Sequence, residues 1–314
     1  MPMRIVSLLP AATEIVDALG MMDHLVGVSH ECNYPESALS KPRVTGCDIH
    51  GDRLSSSEID HWVSQKLSQG EDLFTLDEAK LRALRPDLIL TQRLCDVCAP
   101  AYGSVTALAQ TLDDPPEVLN LEPTSLEEIL QDIQRVADTL GISETGVRLI
   151  QSLRERVRFV QHRVEDAARI PRVAVIEWLD PVFCSGHWTP ELVAIAGGEE
   201  VLGRPGRDSV RLTWADVRAA EPEILVIACC GQSAARALRD WDHLKDLPEI
   251  QALPAVTNGN VHVADGNAYF SRPGPRVVDT LEILAEVIHP ELFTGMYPDR
   301  GLKRLAGVSL SACD

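Results

Sequence analysis

Two cysteines with the spacing C-x-x-C, Cys95 and Cys98, follow the apolar run DLILT at residues 87–91. That spacing suits two thiolate ligands of a zinc ion or an iron–sulfur cluster, and it also occurs in redox-active dithiols. A redox pair needs its first cysteine at a helix N-terminus, where the helix dipole lowers the thiol pKa. Pro100 follows too closely for a helix to begin under the pair. The spacing therefore favours a metal site over a dithiol.

Further cysteines follow other probable strands, at the carboxyl ends where open parallel sheets bind their ligands. A metal or cluster site needs three or four converging ligands. The candidate ligands are Cys32, Cys95, Cys98, Cys184 and Cys229. The alternative is that they are reduced thiols or small core residues, since cysteine packs well in cores. The chain has no second C-x-x-C pair that would decide between the two.

Aromatic, histidine and arginine residues form a second group of candidates at the same strand ends. Aromatic residues make up only 4% of the chain, and several lie near the expected cleft, where flat rings suit a large planar ligand. This group consists of His30, Tyr34, Arg93, Trp178, His187, Trp188, Tyr269, Phe270 and Arg272. Each ring has a structural alternative in core or interlobe packing, and each histidine has one in a loop hydrogen bond.

The elements that position these residues alternate between short apolar runs and helical segments, which is typical of parallel α/β units. The predicted strands are 4–9, 25–29, 87–91, 117–121, 172–178, 223–229 and 261–265. The segments LRALRPDLILT and VRAAEPEILVIAC show one pattern used twice: a helix, a proline, an acidic residue and a buried strand. The repeat predicts two similar lobes.

A helical stretch without strand patterning separates the two lobes. Thr124 or Ser125 caps its first helix, Gly141 ends that helix, and a long amphipathic helix follows from Ser143 to about Ala168. We therefore expect an α/β fold with two lobes, each with a central parallel sheet, joined by a long rigid helix. The predicted boundaries are 1–123 for the first lobe, 124–168 for the connecting helices, 169–290 for the second lobe and 291–314 for a tail.

Charge and composition exclude several classes of function. A net charge of −18 without a Lys/Arg cluster argues against a nucleic-acid partner, and no segment is apolar enough to insert into a membrane. The sequence contains no P-loop, no G-x-G-x-x-G and no G-x-S-x-G motif, so nothing argues positively for an enzyme. The first twenty residues are typical of a strand, turn and helix rather than a signal peptide, which predicts a cytoplasmic protein.

Several of these segments together resemble the class III periplasmic substrate-binding proteins, in the branch that binds cobalamin or ferric siderophores for ABC importers. The resemblance rests on RIVSLLPAATEIVDALG, LVGVSHECNYP, LRALRPDLILT, SGHWTPELVAIAGGEEVL and YFSRPGPRVVDTLEILAEVIHP. It implies two α/β lobes with a ligand held between them and little hinge motion. It also implies ligand contacts from Pro10, Ala11, Thr13, Tyr34, Pro35, Phe183, Trp188, Tyr269 and Arg272.

The chain also departs from this family. Family members are exported, whereas this chain starts on its first predicted strand. Transport members dock their permease through an acidic residue on each lobe, and the matching positions are Ala79 and Ala215, next to Glu78 and Asp216. The resemblance therefore implies an ABC permease as a partner, but the matching positions carry no carboxylate that would dock it.

Three hypotheses follow, the third being an exported importer component whose true start lies upstream of this sequence. In the first, a cytoplasmic, non-enzymatic protein holds a corrinoid such as cobalamin, or a related metal-containing ligand, between its lobes. The aromatic residues pack on the ligand, and Arg93 and Arg272 meet its polar groups. In the second, the cleft cysteines bind zinc or an iron–sulfur cluster directly, for electron transfer, cluster delivery or an enzyme activity.

Overall fold

A computed structural model describes residues 3–49, 53–93, 100–293, 295 and 303–305. The C-x-x-C pair, Cys95 and Cys98, lies outside these residues.

The first lobe is built on a four-stranded parallel sheet with the strand order β2-β1-β5-β6. Its strands are β1 (Ile5–Ser7), β2 (Leu25–Val28), β5 (Leu88–Thr91) and β6 (Glu117–Asn120), and β3 (Thr45–Cys47) and β4 (Phe74–Leu76) form a separate antiparallel pair. The helices of this lobe are α1 (Pro10–Ala18), α2 (Ser56–Ser68), α3 (Glu78–Leu84) and α4 (Tyr102–Gln110). β1 and β5 are buried along their whole length, as their apolar sequences predict.

The second lobe contains a larger sheet with the order β12-β11-β10-β7-β8. Its strands are β7 (Arg172–Leu179), β8 (Val182–Cys184), β9 (Glu199–Glu200), β10 (Ile224–Ile227), β11 (Val261–Val263) and β12 (Lys303–Leu305). Strands β7, β10 and β11 are parallel, whereas β8 and β12 add antiparallel edges. β12 comes from the segment predicted to be a separate tail, so residues 303–305 extend this sheet.

The helices of the second lobe complete the α/β alternation. They are α7 (Thr189–Ile195), α8 (Trp214–Ala219), α9 (Ala234–Leu244), α10 (Pro248–Gln251), α11 (Pro254–Thr257), α12 (Val277–Ile288) and α13 (Pro290–Phe293), with a π-helical segment at Gly266–Phe270. Among the described helices, none is both long and apolar enough to cross a membrane. The prediction of two parallel α/β sheets is confirmed.

The sequence repeat has a structural cause. Within two residues of its end, each of α3 and α8 is followed by a residue with positive φ, Arg85 or Glu221, and then by a proline. The acidic residue after the proline then accepts a hydrogen bond from the N–H that begins the neighbouring strand: Asp87 binds Arg4 N at 2.6 Å. Glu223 binds Arg172 N at 2.9 Å in the same way. The repeat thus aligns β5 with β1, and β10 with β7.

The connecting helices are α5 (Leu126–Thr139), capped by Ser125, and α6 (Ser143–Val164). α6 packs against both α5 and α12, and Arg156 on α6 binds Glu282 on α12 at 2.9 Å. One continuous apolar core includes Ile15 of α1, Ile133 of α5 and Leu281 of α12. Because a shared core resists hinge motion, this arrangement supports the expectation of a rigid connection between the lobes.

Candidate functional site

The first contact between the lobes is a buried ionic network, which we call the Glu14 bridge: Glu14 and Asn33 of the first lobe with Arg272 and Arg276 of the second. Arg272 donates to Glu14 Oε1 at 2.8 Å and to Asn33 Oδ1 at 2.6 Å. Arg276 donates to both carboxylate oxygens of Glu14, at 2.6 and 2.9 Å. The side chains of Glu14 and Arg272 are each only 2% exposed. Because each charge has its counter-charge within hydrogen-bonding distance, their burial is tolerated.

The two motifs that carry the family resemblance meet at this bridge. Gly274, in the segment RPGPR, faces the backbone of Ala11 in the first turn of α1; a Cβ atom added to Gly274 would lie 3.2 Å from Ala11 O. Thr13 is also buried there, with its Oγ1 2.9 Å from Ser7 Oγ and 3.1 Å from Cys32 Sγ. Pro10, the first residue of α1, is partly buried.

Two tyrosines, one from each lobe, flank the guanidinium of Arg276. Its Cζ lies 3.9 Å from the centroid of the Tyr34 ring and 5.4 Å from that of Tyr269. Tyr34 is 43% exposed and precedes the half-buried Pro35, while Tyr269 is half-buried. Cation–π contacts of this kind hold both rings in place at the interlobe boundary. The structure thus brings together four of the predicted ligand contacts, Ala11, Thr13, Tyr34 and Tyr269.

A second contact between the lobes is formed by the start of α2, and we call it the α2 latch: Leu54, Ser56 and Asp60 of the first lobe with Trp178, Arg211, Arg236 and Asp240 of the second. Ser56 donates to Asp240 through both its backbone N and its Oγ, and Arg236 donates to the carbonyl of Leu54. Trp178 Nε1 donates to Ser56 O at 3.2 Å. Arg211 binds both carboxylate oxygens of Asp60, at 2.7 and 2.8 Å, and its guanidinium lies over the Phe183 ring. Trp178 and Phe183, predicted ligand contacts, therefore take part in or lie beside this latch.

Several other predicted ligand contacts have structural roles. Trp188 is buried in the core and donates to Phe270 O at 3.2 Å, and Phe270 is buried beside it. His30 Nδ1 lies 2.7 Å from Thr45 Oγ1, and His187 Nε2 lies 3.4 Å from Asp208 Oδ1. Burial lowers the pKa of His187, so that its ring is neutral near neutral pH.

The two arginines expected to meet polar groups of the ligand differ in their surroundings. Arg272 is buried and binds Glu14, Asn33 and Asn267, so its guanidinium is already engaged within the protein, and its contact with the ligand stays a prediction. Arg93 is exposed beyond the carboxyl end of β5.

The cysteines of the described residues do not converge on a metal. Cys32, Cys184 and Cys229 are all buried, and Cys32 and Cys229 lie in two different core clusters. Burial raises the pKa of all three thiols, which keeps them protonated. In the described part of the chain, no group of three or more His, Cys, Asp or Glu residues is arranged to hold a metal ion. These three cysteines are therefore core residues, and the prediction for Cys95 and Cys98 lies outside the described residues.

One carboxyl group at the end of β7 has an unusual environment. Glu177 accepts hydrogen bonds from Ser209 and from the backbone N of Gly186, but burial outweighs them and raises its pKa to about 7. Its ordinary value is 4.5. The folded protein therefore keeps a proton on Glu177 over a range of pH in which the unfolded chain has released it.

We expect the free energy of unfolding to fall as the pH rises from about 5 to about 7, because the folded state binds the Glu177 proton more tightly. The shift corresponds to a loss of roughly 3 kcal/mol. Glu177→Gln cannot ionise and should make the fall shallower in urea denaturation at pH 5, 6, 7 and 8. Glu200 also has a pKa raised to about 7 by burial, so part of the fall remains. An equally steep fall in Glu177→Gln would contradict the assignment.

The interlobe residues that sequence patterns did not identify are charged or polar residues with distant partners. They are Glu14, Asn33, Ser56, Asp60, Arg211, Arg236, Asp240 and Arg276. One available signal was the pair Arg272 and Arg276 in RPGPR, two basic residues close together in a chain of net charge −18.

Comparison with known proteins identifies related sequences over most of the chain. A family model described as "Periplasmic binding protein" matches residues 5–268. A vitamin B12-binding protein of Photorhabdus laumondii subsp. laumondii is 23% identical over 291 residues, covering 92% of this chain and 88% of that protein. An uncharacterized ABC transporter substrate-binding lipoprotein of Bacillus subtilis is also 23% identical, covering 93% of this chain and 82% of the lipoprotein.

Solved structures share the fold. A periplasmic heme-binding protein of Pseudomonas aeruginosa superposes with a TM-score of 0.71 at 20% identity, over 93% of this chain and 94% of that chain. The periplasmic vitamin B12-binding protein of Vibrio cholerae gives a TM-score of 0.67 at 21% identity, over 91% of this chain and 96% of that chain. At this level of identity, the likeness supports the two-lobed fold.

These relatives correct the predicted location. The matching family model is described as a periplasmic binding protein, and the Bacillus subtilis relative is named a substrate-binding lipoprotein. The prediction of a cytoplasmic protein is therefore wrong: the strand-like pattern of the first twenty residues does not report where a protein resides. The comparisons also give no support to an iron–sulfur protein or a cysteine-rich cleft.

Proposed function

The chain belongs to the periplasmic binding protein family, and from this premise we propose that it is the substrate-binding protein of an ABC importer, with a corrinoid such as cobalamin held between its lobes. The observation that carries the proposal is the sequence similarity to vitamin B12-binding proteins, which extends over 92% of this chain. Its place of action is then outside the cytoplasmic membrane, as for its relatives.

The charges at the interlobe boundary favour a corrinoid over heme. Heme presents two carboxylates, which need cationic partners in a binding site. The arginines of the Glu14 bridge, Arg272 and Arg276, are already bound to a carboxylate within the protein. The periphery of a corrinoid instead carries carboxamides, which need neutral donors and acceptors.

The tyrosine pair offers the ring surface for such a ligand. Tyr34 and Tyr269 stand on opposite lobes, and each has part of its surface open. Aromatic faces pack well on a large macrocycle. We therefore assign these two rings as ligand contacts.

Tyr34→Ala and Tyr269→Ala should each weaken binding of cyanocobalamin by about 1–2 kcal/mol, or roughly 5- to 30-fold in Kd, because each removes one aromatic contact. Titration followed by intrinsic fluorescence or calorimetry measures this change. Phe159→Ala is the matched control, since Phe159 on α6 is also 43% exposed and contacts Arg163 in a cation–π pair. Its Kd should equal that of the wild type.

The same titration with hemin separates the two ligand classes. Hemin binding without cyanocobalamin binding would contradict the proposed function. Equal losses in Phe159→Ala and Tyr34→Ala would contradict the assignment of the tyrosine pair but leave the corrinoid proposal intact.

An importer component also needs a permease partner, and each lobe carries an exposed acidic residue in the first turn of its repeated helix. Glu78 begins α3 and Asp216 lies in the first turn of α8, the two helices of the sequence repeat. Both are exposed. We propose that these two carboxylates serve for docking in place of the alanines beside them.

A further inference from the structure

The side-chain amide of Gln232 is buried and has no partner in the part of the chain that the structure describes. The residue is 6% exposed, and neither its Nε2 nor its Oε1 has a hydrogen-bond partner among the described residues. A buried polar group without a hydrogen bond is costly, and such groups are rare in folded proteins. Gln232 carries two such atoms in one group.

The backbone of Gln232 fixes its position between the two interlobe contacts. Gln232 follows the carboxyl end of β10, where its N–H binds Cys229 O at 3.0 Å and its carbonyl accepts from Asn267 N at 3.0 Å. Asn267 in turn accepts from Arg272 of the Glu14 bridge at 2.9 Å. Four residues further along the chain, Arg236 belongs to the α2 latch. Gln232 therefore lies at the end of the second-lobe sheet that is held against the first lobe.

The sheet of the first lobe also ends in polar atoms for which the described residues offer no hydrogen-bond partner. Thr91 and Asn120 are direct neighbours in the register of β5 and β6, at the carboxyl ends of both strands. Thr91 Oγ1 and Asn120 Oδ1 are both buried and have no partner among the described residues. Ligands of open parallel sheets bind at these strand ends. Each lobe thus contributes unmet neutral hydrogen-bonding groups where its sheet ends.

From these positions we infer that Gln232 hydrogen-bonds a carboxamide of the ligand and so selects an amide-bearing macrocycle over a carboxylate-bearing one. This inference rests on the proposed function and names the residue that would make the selection. A primary amide offers donors and an acceptor side by side, and it pairs with a second primary amide through two hydrogen bonds. A carboxylate satisfies only the Nε2 donors and places its own lone pairs against Oε1.

The test replaces Gln232 by methionine, which has a similar length and no amide. Removal of an unmet amide should leave the melting temperature of the ligand-free protein equal to or above that of the wild type. The same change should weaken cyanocobalamin binding by roughly ten- to a hundredfold, because the ligand carboxamide loses its partner. Hemin binding, where measurable, should not weaken.

Gln251→Met is the matched control, because Gln251 Nε2 donates to Lys245 O at 2.6 Å. It should lower the melting temperature and leave the Kd for cyanocobalamin unchanged. A Gln232→Met variant that melts earlier but binds cyanocobalamin as the wild type does would overturn the inference alone. Failure of the wild-type protein to bind cyanocobalamin would overturn the proposed function, and this inference with it.

Discussion

Replacing Glu14 by alanine is expected to lower the free energy of unfolding by about 3–5 kcal/mol, among the largest effects of any single substitution in this chain. The carboxylate of Glu14 faces two guanidinium groups at once, those of Arg272 and Arg276, which are 2% and 15% exposed. Without Glu14, Arg272 keeps only the neutral partners Asn33 and Asn267, and Arg276 keeps the rings of Tyr34 and Tyr269. Urea denaturation of the ligand-free protein measures the loss.

An exposed ion pair provides the control. Glu127 binds Arg154 through both oxygens, at 2.6 and 2.8 Å, but the two side chains are 55% and 47% exposed. Because solvent screens this pair, Glu127→Ala should cost less than about 1 kcal/mol. Glu14→Gln keeps the size of the side chain and removes only its charge, so it tests the same point if Glu14→Ala does not fold. Equal losses in Glu14→Gln and Glu127→Ala would show that the bridge contributes little.

Glu14 was not identified in advance because sequence patterns report only on local structure. Local patterns predicted β1, β5, β7 and β10, because a buried strand needs a short apolar run and a turn on each side. They also predicted α6 from its amphipathic spacing and α5 from its Ser125 cap. These features depend on neighbours within a few residues.

Contacts between residues that are far apart in the sequence could not be predicted from these patterns. Glu14 and Arg272 lie 258 positions apart, and Ser56 and Asp240 lie 184 positions apart. No spacing rule links such pairs in a single sequence. Strand-end position also did not predict side-chain direction. Cys229 follows β10 as predicted but faces the core, and Trp188 packs inside rather than lining the cleft.

The second large effect is expected at Asp240, because its carboxylate binds both Ser56 of the first lobe and Arg236 of the second. Asp240 binds Arg236 at 2.8 Å. It also accepts hydrogen bonds from the backbone N–H and the hydroxyl of Ser56, the first residue of α2. The side chains of Glu14 and Arg272 in the Glu14 bridge are more deeply buried than those of Asp240 and Arg236. The bridge also lies beside the continuous core that contains α1 and α12. Of the two interlobe contacts, we expect the latch to open at lower cost, and under the proposed function this opening would let the ligand exchange.

Asp240→Ala should therefore release the start of α2. We expect amide hydrogen exchange across residues 54–68 to become roughly a hundredfold faster, since a loss of about 3 kcal/mol in local stability has that effect. Bound cyanocobalamin should dissociate at least about tenfold faster, because one of the two contacts that close the lobes is gone. Mass-spectrometric exchange and stopped-flow displacement measure the two effects.

A variant of similar cost elsewhere separates latch opening from general destabilisation. Asp279→Ala removes one of the two carboxylates that bind Arg156 between α6 and α12, a contact outside the latch. It should lower the global free energy of unfolding without changing exchange in α2 or the dissociation rate. If Asp279→Ala and Asp240→Ala speed dissociation equally, then ligand exit follows overall stability and α2 is not the gate. If only Asp240→Ala does so, the ligand leaves past the start of α2, where Trp178 and Arg211 also meet the first lobe.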